Sequence, residues 1–321
     1  MIRALSITGP TASGKTALSL ACAERLGCEI ISCDSMQIYR GMDIGTAKAT
    51  EAEQARVPHH LIDILEPSEA YSAEQYREDA MRAAEEIVAR GKIPLFVGGT
   101  GLYIDTVIRG NSLESPPSDP TLSERLRREG EGEEGREALW QRLLAVDPDS
   151  AMRTHKNNVR RVARALEIYM LTGKTKTFFD EMSRAAGRDI EIGMITLDIH
   201  NRDTLYDRVN TRVDLMMEEG LLSEARALYE RGLLDRKYTS SQAIGYKEML
   251  SYLLGEESLE EATEQLKLSS RRYAKRQLTW FRHETDAHRL YLDLEDGTPR
   301  ESEELILSAC EFFTKFLSRN N

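Results

Sequence analysis

The chain has 321 residues, a length that suits one large α/β domain with a smaller partner. Its composition is that of a globular protein, with 40% hydrophobic and 30% charged residues, and no run approaches the roughly 18 apolar residues of a membrane span. A formal net charge of −11 excludes a uniformly basic nucleic-acid coat but leaves room for local basic faces.

The cysteines and the N-terminal residues indicate the cellular compartment in which the protein is expected. Cys22, Cys28, Cys33 and Cys310 show no CxxC spacing, so neither a disulfide framework nor a structural zinc site is predicted. The N-terminus enters an apolar run at once and has no small-residue cleavage site, so no signal peptide is predicted. These features favour a cytoplasmic protein, for which a monomer is the default expectation.

The first hundred residues alternate apolar runs with amphipathic stretches. Apolar runs predict strands at 4–8, 29–35, 59–65 and 92–103. Apolar residues at helical spacing predict helices at 16–27 and 72–91. Because strands alternate with helices, we predict a doubly wound parallel sheet of the α/β class.

This alternation is interrupted after residue 110. The stretch 111–120 has the Pro, Ser and Asp content of a linker, and the charged residues that follow are helical in pattern. An apolar strand pattern resumes only at 190–199. We therefore predict an α/β core domain of residues 1–111 and 188–321, interrupted by a helical insertion domain at 112–187.

The motif GPTASGKT (9–16) is the strongest functional signal in the chain. It fits the P-loop pattern, and it lies between a predicted strand and a predicted helix. Its glycines let backbone N–H groups turn inward around an anion, and the helix N-terminus adds about half a positive charge. Lys15 is predicted to lie over bound phosphates and the Thr16 hydroxyl to bind Mg²⁺. The predicted sheet is therefore of the P-loop type.

A second element of nucleotide hydrolysis is missing from the sequence. P-loop NTPases hold Mg²⁺ with an aspartate at the end of another apolar strand. The candidate strand, IPLFVGGTG (93–101), ends in glycines and Thr100 instead. This substitution weakens the case for NTP hydrolysis without excluding a small-molecule kinase.

Asp34 lies in the stretch SCDSMQIYR (32–40), at the carboxyl end of the second predicted strand. In a doubly wound sheet that end faces the same crevice as the phosphate loop. A carboxylate there can accept a proton from an incoming nucleophile, and Gln37 offers a donor and an acceptor to a purine edge. The alternative interpretation of Asp34 is a helix N-cap or an acid near Mg²⁺.

Six motifs in order resemble the bacterial tRNA dimethylallyltransferases: GPTASGKT, DSMQIYRGMDIGTAK, VPHHLID, VGGTGLYI, NNVRRVARALEIY and IGYKE. The resemblance covers roughly residues 5–285. It implies transfer of a dimethylallyl group from its diphosphate to N6 of adenosine 37 in tRNA, with pyrophosphate as the leaving group. The implied partners are dimethylallyl diphosphate and the tRNA anticodon loop, with Mg²⁺ as cofactor and neither a membrane nor a protein partner.

The resemblance also implies roles for individual residues. Asp34 is the expected general base at N6, with Thr100 and Arg212 beside the reacting groups. Diphosphate binding is expected from Gly9, Pro10, Thr11, Ala12, Ser13, Gly14, Lys15 and Thr16. Contact with tRNA is expected from Asp34, Ser35, Met36, Gln37, Asn158, Val159, Arg160, Arg161 and Arg164.

Arg208 and Arg212 are four residues apart in DRVNTRVDLMMEEGL (207–221), so they share one helix face. They are interpreted as a guanidinium clamp on the diphosphate, of which the resemblance favours Arg212 as the closer member. The alternative is a solvated charged face paired with Asp207 and Asp214.

Two local basic stretches offset the acidic average. Residues 153–164 and 265–283 are rich in Arg and Lys and contain no acid, which favours contact with a phosphate backbone. A solvated charged face is the alternative for both. The second stretch adds Tyr273, Trp280 and Phe281, which suit base stacking, a prenyl channel or buried packing.

One position departs from the family pattern. Where these enzymes generally have an arginine that touches tRNA, this chain has Ser123, with Arg125 as the nearest replacement. Three other functions stay open: a P-loop small-molecule kinase with Asp34 as its base, a prenyltransferase acting on free adenine nucleotides, and a non-catalytic RNA-binding regulator.

Overall fold

The structure, a computed structural model, describes residues 1–108, 116–185, 189–284 and 286–319. Part of the predicted linker, 111–115, and the predicted boundary at 187 lie outside these residues. The chain divides into two compact units, a core unit of 1–108 with 190–321 and a helical unit of 109–189.

Within the described residues, six strands form one sheet in which every pairing is parallel. The strands are β1 (Ile2–Thr8), β2 (Cys28–Ser32), β3 (His59–His60), β4 (Ile93–Gly98), β5 (Ile190–Asp198) and β6 (His288–Tyr291). Their order across the sheet is β3-β2-β4-β1-β5-β6. The prediction of a parallel P-loop-type sheet is confirmed.

Helices of the core unit follow most strands. They are α1 (Lys15–Leu26), α2 (Glu51–Arg56), α3 (Ala73–Ala89) and α4 (Gly101–Ile108). The helical unit contains α5 (Pro120–Glu129), α6 (Gly132–Val146), α7 (Pro148–Arg153), α8 (Val159–Thr172) and α9 (Lys176–Ala185). The core unit continues with α10 (Arg202–Glu219), α11 (Leu221–Glu230), α12 (Tyr246–Leu253), α13 (Leu259–Arg282) and α14 (Ser302–Leu317).

Neighbouring residues of each central strand pack into different apolar clusters, because successive side chains of a strand point to opposite faces. Leu5, Ile30 and Leu95 lie in a cluster with buried residues of α1 and α14. Ile31 and Phe96 lie in another with buried residues of α3 and α4. Helices therefore cover both faces of the sheet, and the buried strands account for the continuous apolar runs in the sequence.

A third apolar cluster joins the chain after β2 to the helices after β5. Ile38, Tyr39 and Met42 are buried against α10, α11, α12 and α13, where Tyr246 is also fully buried. This helical layer is built from residues far apart in sequence. The helical unit has its own core, in which Leu126, Leu139, Leu143, Val162 and Leu166 are buried. None of the described helices is long and apolar enough to cross a membrane.

The third predicted strand is much shorter than expected. It was predicted over 59–65, and the structure pairs only His59 and His60 with β2. Leu61 and Asp63 have φ values of +61° and +54°, in the left-handed region that breaks a strand. The prediction for 61–65 is therefore wrong. The N–H groups of residues 63–65 bond to the carbonyls of Gln37 and Ile38 and not to β2. The apolar side chains of this stretch pack against neighbouring apolar clusters.

Arg3 closes the C-terminal end of α14. Its guanidinium donates to the carbonyls of Phe316 (2.5 Å), Leu317 (2.9 Å) and Arg319 (3.0 Å), and it pairs with Glu191 at 3.1 Å. The last carbonyls of a helix have no hydrogen-bond partner within the helix. Removal of the Arg3 guanidinium therefore leaves these acceptors without a donor and destabilises the folded state. We expect Arg3→Met to lower the free energy of unfolding by about 1 to 3 kcal/mol.

Arg25→Met is the matched control for that measurement. Arg25 pairs with Glu303 at 2.9 Å, but both side chains are exposed, so solvent screens this pair and its loss is expected to change stability little. Urea unfolding of the two variants measures the difference. Equal stability losses would show that the cap on α14 contributes no more than a surface ion pair.

Candidate active site

A cavity of about 580 Å³ opens at the carboxyl ends of β1, β2 and β4 in the core unit. One wall is the phosphate loop, and another is residues 34–37, which follow β2. The remaining walls come from residues 45–47, from α10 and from α13. Crevices of this kind form in parallel sheets where the connections leave the strands on opposite faces.

The phosphate loop has the backbone of an anion-binding turn. Ala12 and Gly14 have φ values of +61° and +79°, and Gly14 is the N-cap of α1. A Cβ on Gly9 would lie 2.9 Å from Leu197 Cβ, so only glycine fits there. The Lys15 Nζ donates to the carbonyls of Gly9 (3.1 Å) and Pro10 (2.6 Å), across the loop.

Two buried polar atoms in the cavity wall have no hydrogen-bond partner within the described part of the chain: Ser13 Oγ and Arg212 Nε. A buried donor without a partner costs free energy in the folded protein. Burial also lowers the pKa of Arg212, opposed by the charges of Asp34 and Glu219. A guanidinium and a hydroxyl with unsatisfied donors can both donate hydrogen bonds to an anionic ligand.

Lys15 shares that environment. Burial, reinforced by the positive charge of Arg212 and opposed by Asp34, lowers the pKa of Lys15 to about 7. Two cations close together in a partly dry site destabilise each other. A bound polyanion relieves this repulsion, which is the electrostatic signature of a site built for several negative charges.

Asp34 is held at the mouth of β2 by its own backbone neighbours. Its Oδ1 accepts the N–H of Met36 at 2.9 Å, and the Ser35 N–H donates to Thr100 Oγ1 at 3.2 Å. Burial raises the pKa of Asp34, opposed mainly by the Met36 N–H and the Lys15 charge. A carboxylate with a raised pKa is a stronger proton acceptor than a solvated one.

Close packing explains the missing acid after β4. A Cβ on Gly98 would lie 2.3 Å from the carbonyl oxygen of Cys33, and one on Gly99 would lie 2.1 Å from Gln277 Nε2. Neither position can carry a carboxylate without rebuilding the site. The polar group at this strand end is the hydroxyl of Thr100.

Gln277 was not singled out from the sequence. It is 5% exposed, its Oε1 accepts the Thr11 N–H at 2.8 Å, and its Nε2 donates to the Gly99 carbonyl at 3.0 Å. It thereby ties the phosphate loop to the end of β4. Because these partners are far apart in the chain, sequence spacing carries no signal of the contact.

The three aromatic residues of α13 have different surroundings. Tyr273 lines the cavity, and the Arg276 guanidinium lies over its ring, 5.5 Å from the centroid. Trp280 abuts Gly101, where a Cβ would lie 2.2 Å from the indole Nε1. Phe281 is 1% exposed, so of the three interpretations offered for these aromatic residues, packing in the protein interior applies to Phe281.

The two arginines predicted as a clamp are separated by the structure. Both lie on α10, but Arg212 lines the cavity whereas Arg208 is outside its lining. Among the predicted nucleotide contacts, Ser35 and Met36 line the cavity. Gln37 also lines it, with Nε2 donating to the carbonyls of Thr46 and Ala47 at 3.2 and 3.3 Å.

The predicted tRNA contacts of the helical unit surround the start of α8. Asn158, Arg160 and Arg161 are exposed, and the Asn158 side chain accepts the Arg161 N–H as the helix cap. Val159 packs against the apolar cluster of this unit. Arg164 differs, because its guanidinium holds Glu167 and the carbonyls of residues 116 and 117.

The two candidate replacements for the missing arginine also differ. Ser123 is 7% exposed, and its hydroxyl accepts a hydrogen bond from Arg127 at 3.2 Å. The Arg125 side chain is exposed, with Glu129 at 3.7 Å. Of the two, Arg125 is the one that presents a charge to solvent.

Two family models match this chain. The family model of the IPP transferases matches residues 37–284, and that of the isopentenyl transferases matches residues 2–67. The first match alone spans more than half of the chain.

The chain belongs to the IPP transferase family.

Relatives in the family cover most of the chain. A tRNA dimethylallyltransferase of Geobacillus thermodenitrificans is 52% identical over 280 residues, which is 87% of each chain. One of Bacillus subtilis is 50% identical over 278 residues, covering 86% of this chain and 87% of the relative. The resemblance inferred from the six motifs is therefore confirmed.

Solved structures of IPP transferases have the same fold. The full-length tRNA isopentenylpyrophosphate transferase of Bacillus halodurans is 45% identical, with a TM-score of 0.72 over 99% of this chain and 97% of that one. A eukaryotic dimethylallyltransferase acting on tRNA is 30% identical, with a TM-score of 0.78 over 100% of this chain and 81% of that one.

Proposed function

We propose that this chain transfers the dimethylallyl group of dimethylallyl diphosphate to N6 of adenosine 37 in tRNA and releases pyrophosphate. The observation that carries the proposal is the meeting of three features in one cavity. These are a phosphate loop, the Arg212 Nε, which has no partner among the described residues, and the half-buried carboxylate of Asp34. The names of the relatives, tRNA dimethylallyltransferases, support the same reaction.

The donor diphosphate binds at the phosphate loop. Backbone N–H groups at the start of α1, the Lys15 ammonium and the Arg212 guanidinium supply positive charge on the cavity wall. Ser13 Oγ offers a further donor. In the reaction the bond between the allylic carbon and the diphosphate oxygen breaks, and this set of donors stabilises the negative charge that develops on pyrophosphate.

The loop residues fit Mg²⁺. The Thr16 hydroxyl lines the cavity, and a hydroxyl together with diphosphate oxygens forms the hard oxygen donor set that Mg²⁺ prefers. No cluster of three or more His, Cys, Asp or Glu side chains suited to a metal occurs among residues that the structure describes, so the ligand set relies on substrate oxygens. When bound, Mg²⁺ neutralises charge on the leaving group.

Asp34 is the general base. As the new bond forms between the allylic carbon and N6, the amine loses a proton, and the Asp34 carboxylate accepts it. Thr100 assists from the adjacent strand end, where its hydroxyl contacts the Ser35 N–H. Ser35, Met36 and Gln37 form the cavity wall beside Asp34, and we assign them to the target nucleotide.

The acceptor is held by basic surfaces on the chain. On α13, Arg272, Lys275 and Arg276 are exposed at spacings of three and four residues, which places them on one helix face. In the helical unit, Asn158, Val159, Arg160, Arg161 and Arg164 are the proposed contacts. Phosphate contacts of this type supply affinity and register. We propose a cytoplasmic monomer, because each role is filled from one chain and the substrate is tRNA.

The test is one assay with three acceptors. The protein, Mg²⁺ and radiolabelled dimethylallyl diphosphate are incubated with unmodified tRNA, with the same tRNA carrying guanosine at position 37, or with AMP. We expect label only in the tRNA that has adenosine 37. Label in AMP would favour a nucleotide prenyltransferase, and ATP turnover that depends on a small acceptor would favour a kinase.

The lowered pKa of Lys15 predicts a proton linkage in donor binding. The free protein loses the Lys15 proton above about pH 7, whereas the bound diphosphate favours the charged form and raises that pKa. Binding measured about one pH unit above this value is therefore expected to take up a proton, and affinity is expected to fall as pH rises.

Calorimetry in two buffers of different ionisation enthalpy measures that uptake. Lys15→Met serves as the control, because the proton uptake of the diphosphate itself persists in this variant. Equal uptake by the wild type and Lys15→Met would contradict the assignment of the linkage to Lys15.

A further inference from the structure

One wall of the cavity is held in an unfavourable backbone conformation. Gly45, Thr46 and Ala47 line the cavity, and Ala47 has a φ of +48°. A non-glycine residue in the left-handed region persists only where surrounding contacts impose it. The loop of residues 43–48 is therefore expected to be held by contacts with neighbouring segments.

Glu224, on α11, fixes the loop through hydrogen bonds. Its carboxylate accepts the backbone N–H groups of Asp43 (3.0 Å), Ile44 (3.0 Å) and Gly45 (3.3 Å). The hydroxyl of Tyr246 donates to the same carboxylate at 2.5 Å. Three consecutive amides and a phenol on one carboxylate form a strong, charge-assisted set of hydrogen bonds.

The packing around this carboxylate is tight. Tyr246 is fully buried, and a Cβ on Gly45 would lie 2.5 Å from its Cε2 atom. On the other flank, the Lys48 Nζ bonds to Asp43 and Asp63 at 2.5 Å each. The loop is thus fixed at both ends, and Glu224 itself does not line the cavity.

The inner side of the loop holds Gln37. The carbonyls of Thr46 and Ala47 accept both hydrogen bonds from Gln37 Nε2, and Ser32 Oγ donates to Gln37 Oε1 at 2.9 Å. The side-chain amide is therefore oriented by the loop. Gln37 follows Ser35 and Met36 in the wall beside Asp34, so displacement of the loop moves the surface that meets the acceptor.

We propose that Glu224, assisted by Tyr246, is a positioning residue for the acceptor nucleotide. It acts through the loop of residues 43–48 and Gln37 and touches no reacting atom. The inference rests on the proposed function, since it concerns the acceptor side of that reaction. The phosphate loop and Arg212 belong to other elements, so the donor side is expected to be independent of Glu224.

The test compares Glu224→Ala, Glu224→Gln and Tyr246→Phe with the wild type. For Glu224→Ala we expect kcat/KM for tRNA to fall by about 10²-fold, a loss typical of misplaced binding groups, with a raised KM for tRNA. Glu224→Gln keeps one acceptor oxygen and is expected to recover part of the loss. The Kd for dimethylallyl diphosphate, measured without tRNA, is expected to stay at the wild-type value in all three.

Glu230→Gln is the matched control, because Glu230 is an exposed carboxylate on the same helix and is expected to keep wild-type kinetics. Unchanged tRNA kinetics in Glu224→Ala, or donor affinity falling in step with tRNA affinity, would overturn the inference. If Glu224→Ala does not fold, Glu224→Gln and Tyr246→Phe decide by the same criterion. Failure of the wild type to label tRNA would instead count against the proposed function.

Discussion

Asp34→Ala is expected to abolish transfer to tRNA while dimethylallyl diphosphate still binds. A general base contributes about 10²- to 10⁴-fold to the rate. The other carboxylate in the described cavity lining, Glu53, is engaged with Thr50 in the capping box of α2. The removed charge faces an anionic donor, so its loss does not weaken donor binding. Single-turnover transfer and equilibrium binding of the donor measure the two effects separately.

Asp34→Asn is the sharper companion variant. The amide retains the size of the side chain and an oxygen that accepts the Met36 N–H, but it cannot take a proton. We expect the same loss as for alanine. In the wild type, transfer is expected to rise with pH through the raised pKa of Asp34, because only the ionised form accepts a proton. Substantial activity of the asparagine variant would remove Asp34 from the role of base.

Arg212→Gln is expected to lower kcat/KM for dimethylallyl diphosphate by about 10²- to 10³-fold, the range for loss of one preorganised charge donor. The reason is that its buried Nε has no partner among the described residues until an anion binds. The affinity for pyrophosphate is expected to fall as well. Because the Arg212 charge helps to lower the pKa of Lys15, the proton uptake on donor binding is expected to shift to higher pH.

Arg208→Gln is the comparison for that experiment. Arg208 lies one turn earlier on α10 and outside the cavity lining, so we expect less than a tenfold change. Stability provides a second readout, since burial disfavours the charged form of Arg212 and a neutral side chain relieves that cost. Arg212→Gln is thus expected to melt no lower than the wild type. Equal kinetic effects of the two variants would support a two-arginine clamp.

Local patterns predicted the fold well where one segment determines its own structure. The phosphate loop is a local strand–turn–helix unit, and its glycines have positive φ values that can be anticipated from the motif. The strand that begins at residue 59 is shorter than the prediction, because the apolar side chains at 61–65 belong to a loop and pack against neighbouring clusters. The period of a short apolar run does not separate these two outcomes.

The amino-acid sequence by itself determined the parallel sheet, the phosphate loop and Asp34 at the end of β2, because each follows from residues close together in the chain. Only the tertiary structure separated Arg212 from Arg208, since helical spacing places both on one face but does not say where that face ends. It alone brought Gln277 to Thr11 and Glu224 to residues 43–45. Contacts between distant segments depend on how helices pack on the sheet, and no local pattern encodes that packing.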